Sequence, residues 1–257
     1  MQNKFNNKGI TTHLKRGFSL IFWIAVWHIL AVYVGEKILL PTPLMVLSSL
    51  KNLIFTNTFI SSVFHTIANI LTGFVLALIC GVVLAFFSGA SSFLKTLLAP
   101  FMSVMKSVPV ASFVILALLW LDSEHLSTFV AFVMVLPVIY INVLNGIYAC
   151  DEKAIEMAKV YRLSRIKKIL YIYLPYVIPF FKSGCAIALG LCWKAGVAAE
   201  LIGVPVNSIG EQLYFSKIYF NTADLFAWTI VIILISVIFE KMFMLVLSGL
   251  IQLYERI

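Results

Sequence analysis

Charge is scarce in this sequence. Of 257 residues only 12% are Asp, Glu, Lys or Arg, about half the share of an ordinary soluble domain. With 62% of residues hydrophobic, too few charges remain to coat a water-soluble core, which excludes a soluble globule and a disordered chain alike. The four cysteines, Cys80, Cys150, Cys185 and Cys192, show neither C-x-x-C nor Cys/His spacing. That pattern reads as small buried hydrophobes, not as metal ligands or a disulfide framework. His13, His28, His65 and His125 are scattered, and neither H-E-x-x-H nor a nucleophile elbow occurs, so no catalytic or metal-binding residue is expected. No G-x-x-x-x-G-K-[ST] is present, so the chain has no P-loop to cradle ATP. No 20- to 50-residue repeat, low-complexity tract or second domain is visible, and residues 1–257 read as one membrane domain.

What the chain has is long apolar runs, at a mean hydropathy of +1.03. A helix needs about 20 mainly apolar residues to cross about 30 Å of hydrocarbon. Six runs approach that size: 18–34, 67–87, 104–121, 126–147, 176–201, and one that starts at 225 and fades around 241. The first follows the basic residues Lys4, Lys8, Lys15 and Arg16, but no small-x-small cleavage site comes after it, so it reads as a retained helix and not a signal peptide. The expected fold class is an all-α integral membrane protein with six transmembrane helices.

Orientation follows from the basic residues, which are retained on the cytoplasmic face. With residues 1–17 inside, fourteen of the 19 Lys and Arg fall in cytoplasmic segments or adjoining helix ends. Three, Lys37, Lys51 and Lys217, fall outside, and Lys106 and Lys194 lie within apolar runs. The net charge of +8 is therefore topological and gives no reason to expect a nucleic-acid partner. Both termini are expected in the cytoplasm.

The cytoplasmic loop 149–174 is the one densely charged stretch. Asp151 reads as a helix N-cap with Glu152 in the first turn. Ala154, Met157, Ala158 and Tyr161 recur at helical spacing as one small apolar face. A second start at Ser164 gives another face from Ile166, Ile169, Leu170 and Tyr173. Pro175 disfavours helix at Leu174, so the short helix is expected to break before the fifth span. On these residues alone, an amphipathic hairpin on the lipid surface fits as well as a docking site.

Glu156-Met157-Ala158, followed by Arg162, Ser164 and Leu174-Pro175, resembles the E-A-A-x-x-x-G…L-P signature of membrane permeases in ABC importers. Leu40-Pro41-Thr42-Pro43, Lys106-Ser107-Val108-Pro109, Trp120, and Trp193-Lys194 through Ala199-Glu200 look like the nitrate/sulfonate/taurine branch of that family. The resemblance spans roughly residues 40–247. It implies a type I importer permease fold and a docking loop using Glu156, Met157, Ala158, Tyr161, Arg162, Ser164, Leu174 and Pro175. The implied partners are two cytoplasmic ATP-binding subunits that hold ATP and Mg, a second permease subunit as a homodimer, and an external substrate-binding protein. The implied location is the bacterial inner or plasma membrane. One departure matters: the signature's glycine falls on Arg162. If that turn needs a positive φ, arginine bears strain of about 1 kcal/mol or more.

Burying a lysine at a bilayer centre costs about 2.5–3.5 kcal/mol on insertion scales, so Lys106 and Lys194 stand out. Either they border a solute path, with Ser107, Pro109 and Trp193, or Lys106 snorkels along its stem and Lys194 pairs with Glu200 or a carbonyl. Gly73, Gly81, Gly184 and Gly190, with Ala186, Ala188 and Ala195, are expected to let the second and fifth spans pack closely. By resemblance, loop 202–224, with Tyr214-Phe215 and Tyr219-Phe220, is a re-entrant or interfacial segment facing the binding protein; a lipid-facing aromatic belt is the alternative. The function implied is the solute path of an ATP-driven importer for a small anionic or aromatic organic solute or an oxyanion. The rivals are a self-contained secondary transporter and a non-transporting scaffold. Glu200 and Glu240 read as acids at membrane edges, which leaves the first rival without a midplane carboxylate.

Overall fold

The computed structural model describes residues 3–255, with side chains described for residues 17–254. The basic cluster Lys4, Lys8, Lys15 and Arg16, together with His13 and Arg256, lies outside the described side chains. Among the described residues every regular element is helical. In chain order they are α1 (Asn3–Val34), α2 (Pro43–Ile54), α3 (Asn57–Ala90), α4 (Ser92–Ser107), α5 (Val110–Ala117), α6 (Ser123–Tyr148), α7 (Glu152–Val160) and α8 (Arg165–Lys168). A π-helical turn (Ile169–Tyr173), α9 (Leu174–Gly203), α10 (Ile209–Ile218) and α11 (Thr222–Glu255) complete the chain. Five helical stretches are long and apolar enough to cross a bilayer: in α1, α3, α6, Arg165–Gly203 and α11; α4 with α5 makes a sixth when counted as one bent span. The six apolar runs fall on these elements.

The helices form two compact units. Met1–Phe59 with Gln212–Ile230 make one. In it Pro43 opens α2, where its missing N–H is no loss, and the Thr42 hydroxyl caps the helix by accepting the Met45 amide at 3.4 Å. Trp27 stacks on Phe226 with ring centres 5.7 Å apart, and Phe59 on Trp228 at 5.3 Å. Ser49 donates to Asp224, and Thr222 donates to the Lys37 carbonyl at 2.9 Å.

Ile60–Glu211 with Val231–Ile257 make the other unit, which carries the site. Its centre is α6, whose residues Val135, Ile139 and Val143 are buried with residues of α3 and α9, and whose Val130 is buried with residues of α5 and α9. The small residues work here, although not between the second and fifth spans as expected. A Cβ at Gly73 or Gly81 of α3 would strike Thr128 or Ile139 of α6, and one at Gly184 of α9 would strike Asn142 of α6. Among the described glycines, Gly196 is the one whose Cβ would meet α3 from α9, against Ile70. The large apolar side chains left exposed on α3 and α11, such as Val75, Ile79 and Leu245, need no polar cover in lipid, where the solvent is itself apolar.

Two expectations about spans are corrected. The run 104–121 is not one straight helix: α4 and α5 meet at 103°. Val108 and Pro109 are both extended, with ψ of 127°, because proline disfavours the α region for the residue before it. Pro109 then opens α5, where its lack of an N–H is harmless. Conversely, the chain does not break before Pro175. From Arg165 it stays helical through the π turn into α9, since Pro175 occupies the first turn of α9 and the wider turn at Ile169–Tyr173 absorbs the mismatch.

Candidate functional site

The charged loop folds as its capping residues dictate. Asp151 accepts the Lys153 amide at 3.0 Å to start α7, and Ser164 accepts the Lys167 amide at 3.4 Å to start α8. The expected apolar face of α7 divides in two. Ala158 turns inward with Cys150 and Ile172, and Ala154 and Ile155 pack against them. Met157, Val160 and Tyr161, the last 73% exposed, point outward beside the exposed Glu156. Ile166 of α8 is likewise exposed, while Leu174 is half-buried and Pro175 exposed at the start of α9.

Arg162 occupies the left-handed conformation, with φ of 52°. Its amide donates to the Lys159 carbonyl and the Leu163 amide to the Ala158 carbonyl, both at 3.0 Å. That pair of bonds is a Schellman cap, whose pivot residue is usually glycine. The arginine thus keeps the backbone that glycine would take, strain included. Behind the loop, burial first and then Asp151 push the Cys150 thiol above its ordinary pKa, with Lys168 opposing.

The bend between α4 and α5 opens a cleft of about 480 Å³ against α6 and α9. Lys106 lines it, as does Asn142, which donates to the Val138 carbonyl at 2.8 Å; the remaining walls are apolar, from residues such as Met105, Val108, Met134 and Leu191. Lys106 sits in the last turn of α4, where the helix dipole favours a cation. Ser107 donates to the Val104 carbonyl at 3.1 Å. Ser107 and Pro109 shape the bend and do not line the cleft. Lys194 is exposed and follows the cleft residues Ile187 and Leu191 at helical spacing, one turn farther along the same face of α9. Trp193 is turned inward, 3% exposed, edge-on to Phe239 with ring centres 6.0 Å apart; it is not a wall of the cleft.

Glu200 lies three residues from the end of α9 and is 0% exposed. Its Oε2 accepts from the Thr66 hydroxyl at 2.8 Å and from the Gly210 amide at 3.2 Å. Nearby, Glu124 pairs with His65 at 3.0 Å and accepts the Val206 amide at 3.3 Å. The sequence signal for Glu200 was an acid following Ala198-Ala199 in an apolar run; what hid its burial is that the covering groups come from α3 and from segment 204–210. Asn142, a carboxamide deep in the fourth run, was a readable signal for the cleft that the lysines overshadowed.

This all-helical unit, with a bent fourth element and a capped loop before a long α9, has known counterparts. The family model of the binding-protein-dependent transport system inner membrane component matches residues 77–251. The chain belongs to this family. It is the permease subunit of an ABC importer, an inner membrane component of a transport system that works with ATP-binding and substrate-binding partners. It is similar to the putative aliphatic sulfonates transport permease protein SsuC of Bacillus subtilis, with 28% identity over 81% of this chain and 76% of that protein. It is also similar to the nitrate import permease protein NrtB of Synechocystis sp., with 27% identity over 76% of this chain and 73% of that protein. Its fold matches a chain in the crystal structure of an amino acid ABC transporter with histidines, at a TM-score of 0.59 and 18% identity over 80% of this chain and 97% of that one.

Proposed function

We propose that the imported solute is a small anion of the sulfonate or nitrate kind, and that it passes along the cleft at the α4–α5 bend. The observation that carries this reading is Lys106: an ammonium group on an otherwise largely apolar, open cleft of about 480 Å³, with the Asn142 carboxamide as the second polar side chain. A cation in a low-dielectric wall attracts an anion far more strongly than the same cation in water. Relatives named for sulfonate and nitrate support the same charge. An open cleft on one subunit becomes an enclosed path when a second permease subunit faces it, and a homodimer supplies that wall.

The loop from Asp151 to Pro175 docks the ATP-binding subunits, one per permease, through the outward Met157, Val160 and Tyr161 and the flanking Glu156 and Arg162. ATP and Mg are held and hydrolysed there and not in this chain. Both termini and the docking loop lie in the cytoplasm, and segment 202–224 faces a substrate-binding protein on the other side. Uptake by proteoliposomes holding the whole complex tests the substrate class, with nitrate, a short aliphatic sulfonate and a neutral sugar as probes. ATP-dependent accumulation of one anion and not of the sugar is the expected result. Accumulation of the sugar alone overturns it.

A further inference from the structure

We propose that Glu200 is the positioning residue through which α9 carries movement of the 151–164 loop to segment 205–211 at the helix's far end, and so couples ATP hydrolysis to the change of access. The proposal rests on the docking reading of that loop.

The chain is helical from Arg165 to Gly203, 39 residues with a π turn at Ile169–Tyr173 and Pro179 inside α9, a reach of roughly 58 Å at the 1.5 Å per residue of an α-helix. One end follows directly on the capped loop. At the other end the helix stops sharply: Val204 is left-handed, with φ of 48°, and donates to the Glu200 carbonyl at 2.7 Å. A β-branched residue rarely takes that conformation and persists in it only where its surroundings enforce it.

Beyond its chain connection at Val204, segment 205–211 is hydrogen-bonded to α9 through Glu200 and to α3 through Thr66. Glu200 Oε2 takes the Gly210 amide, and the Thr66 hydroxyl donates to the same oxygen while accepting the Ile209 amide at 3.0 Å. Gly210 lies so close on the Glu200 backbone that a Cβ there would come within 2.4 Å of the Glu200 carbonyl carbon. The segment has no other direct grip on α9 among the described hydrogen bonds; Val206 is held from α6, by Glu124.

A static clamp needs a single acceptor oxygen. Yet Glu200 Oε1 and the Ser127 hydroxyl of α6 are both buried without a hydrogen bond of normal geometry, although Ser127 is placed to bond that carboxyl group. Leaving a buried acceptor and a nearby buried donor unmatched is costly. A small approach of α9 to α6 would tighten that contact into a full bond. With Oε2 holding Thr66 and Gly210, Oε1 can stand open or closed onto Ser127, and those are the two arrangements that transmission through a packed interface requires.

The test uses the intact complex with its ATP-binding subunits, spin-labelled in two places: a pair at residues 149 and 159 across the loop, and a pair at residues 123 and 207 at the far end. Distances are compared without nucleotide and with ATP plus vanadate. In the otherwise wild-type complex both pairs are expected to shift. In Thr66→Val, which keeps side-chain volume, and in Glu200→Ala, the loop pair should still shift while the far pair shifts about fivefold less. Glu200→Gln keeps an acceptor oxygen and adds a donor for Ser127, so it should restore the far shift. If the far pair does not move in the unsubstituted complex, or moves fully in Thr66→Val, the assignment of Glu200 is overturned. If the loop pair itself does not respond to ATP, the docking reading falls and takes the inference with it. Should Glu200→Ala not fold, Thr66→Val decides alone.

Discussion

The Leu163 amide is bonded to the Ala158 carbonyl at 3.0 Å across a turn whose pivot, Arg162, has a φ of 52°. Two interactions of opposite sign meet at that pivot: the left-handed backbone disfavours any side chain, while an exposed guanidinium offers charge to whatever docks. Arg162→Gly should therefore raise thermal stability of the isolated permease by about 1 kcal/mol and at the same time weaken ATPase association. Wild-type association should be the more salt-sensitive of the two, since screening removes only what the charge contributed. Equal association at low and high salt would show that Arg162 makes no contact of its own.

Glu156 is exposed and flanks the outward Met157, Val160 and Tyr161. Reversing its charge leaves the interior of the loop, built on Ala158, Cys150 and Ile172, untouched. Glu156→Lys should express at the wild-type level and copurify with less ATPase, mainly through slower association, as rim charges act. Normal copurification with normal ATP-dependent uptake would refute the docking role of this face.

How much of this was legible in the sequence depends on the range of the interaction. The caps at Asp151 and Ser164 were readable because each acts on an amide two or three residues away. The strained turn at Arg162 was readable as a condition, since a family glycine marks a possible positive φ. Pro109 could not be assigned from sequence: proline inside a membrane helix either kinks it or ends it, and neighbouring helices decide which. Pro175 failed in the other direction, because a π turn just before it let the helix continue. Glu200 was hidden because its donor Thr66 is 134 positions away. Met157 and Ala158 share a helical stripe by spacing, but only the docking of α7 on Ile172 turns one in and leaves the other out.

Gly184 and Gly190 lie on the same helix with opposite surroundings. A Cβ at Gly184 would come within 2.8 Å of the Asn142 Cβ, whereas nothing lies within 4 Å of one at Gly190. Gly184→Ala should lower detergent-stable yield, at a cost of about 1–3 kcal/mol. Gly190→Ala should leave the monomer unharmed or stabilise it by about 0.5–1 kcal/mol through helix propensity. If Gly190 lies in a seam with a second subunit, the same substitution should also reduce recovery of the dimer in a pull-down of two differently tagged copies.

Orientation is checked with single cysteines at positions 8, 159 and 217 and an impermeant thiol reagent on intact cells. Position 217 should react, and positions 8 and 159 only after lysis. Of the native thiols, Cys150 is buried and its pKa raised, by desolvation first, so little thiolate is present at neutral pH. It should label slowly even in lysed cells and faster as pH rises. Reaction at 159 but not at 217 in intact cells would invert the topology.

The two lysines of the apolar runs should separate. Lys106 lines the cleft beside Asn142, while Lys194 is one helical turn beyond the cleft residue Leu191 on the same face of α9. Methionine keeps the length and the apolar stem of lysine and removes the charge, so any role in packing survives the substitution and any electrostatic role does not. Lys106→Met should cut uptake of an anion about tenfold, the order of one lost charge-assisted contact, with little change in basal ATPase activity. Its selectivity should move toward less anionic solutes. Lys194→Met should have the smaller effect on selectivity, because its charge acts on the solute only as it enters or leaves the cleft. Detergent-stable yield, measured alongside, distinguishes lost function from lost fold. If both variants fold and transport every probe anion at the wild-type rate, both lysines are snorkelling side chains and the cleft carries no electrostatic preference of its own.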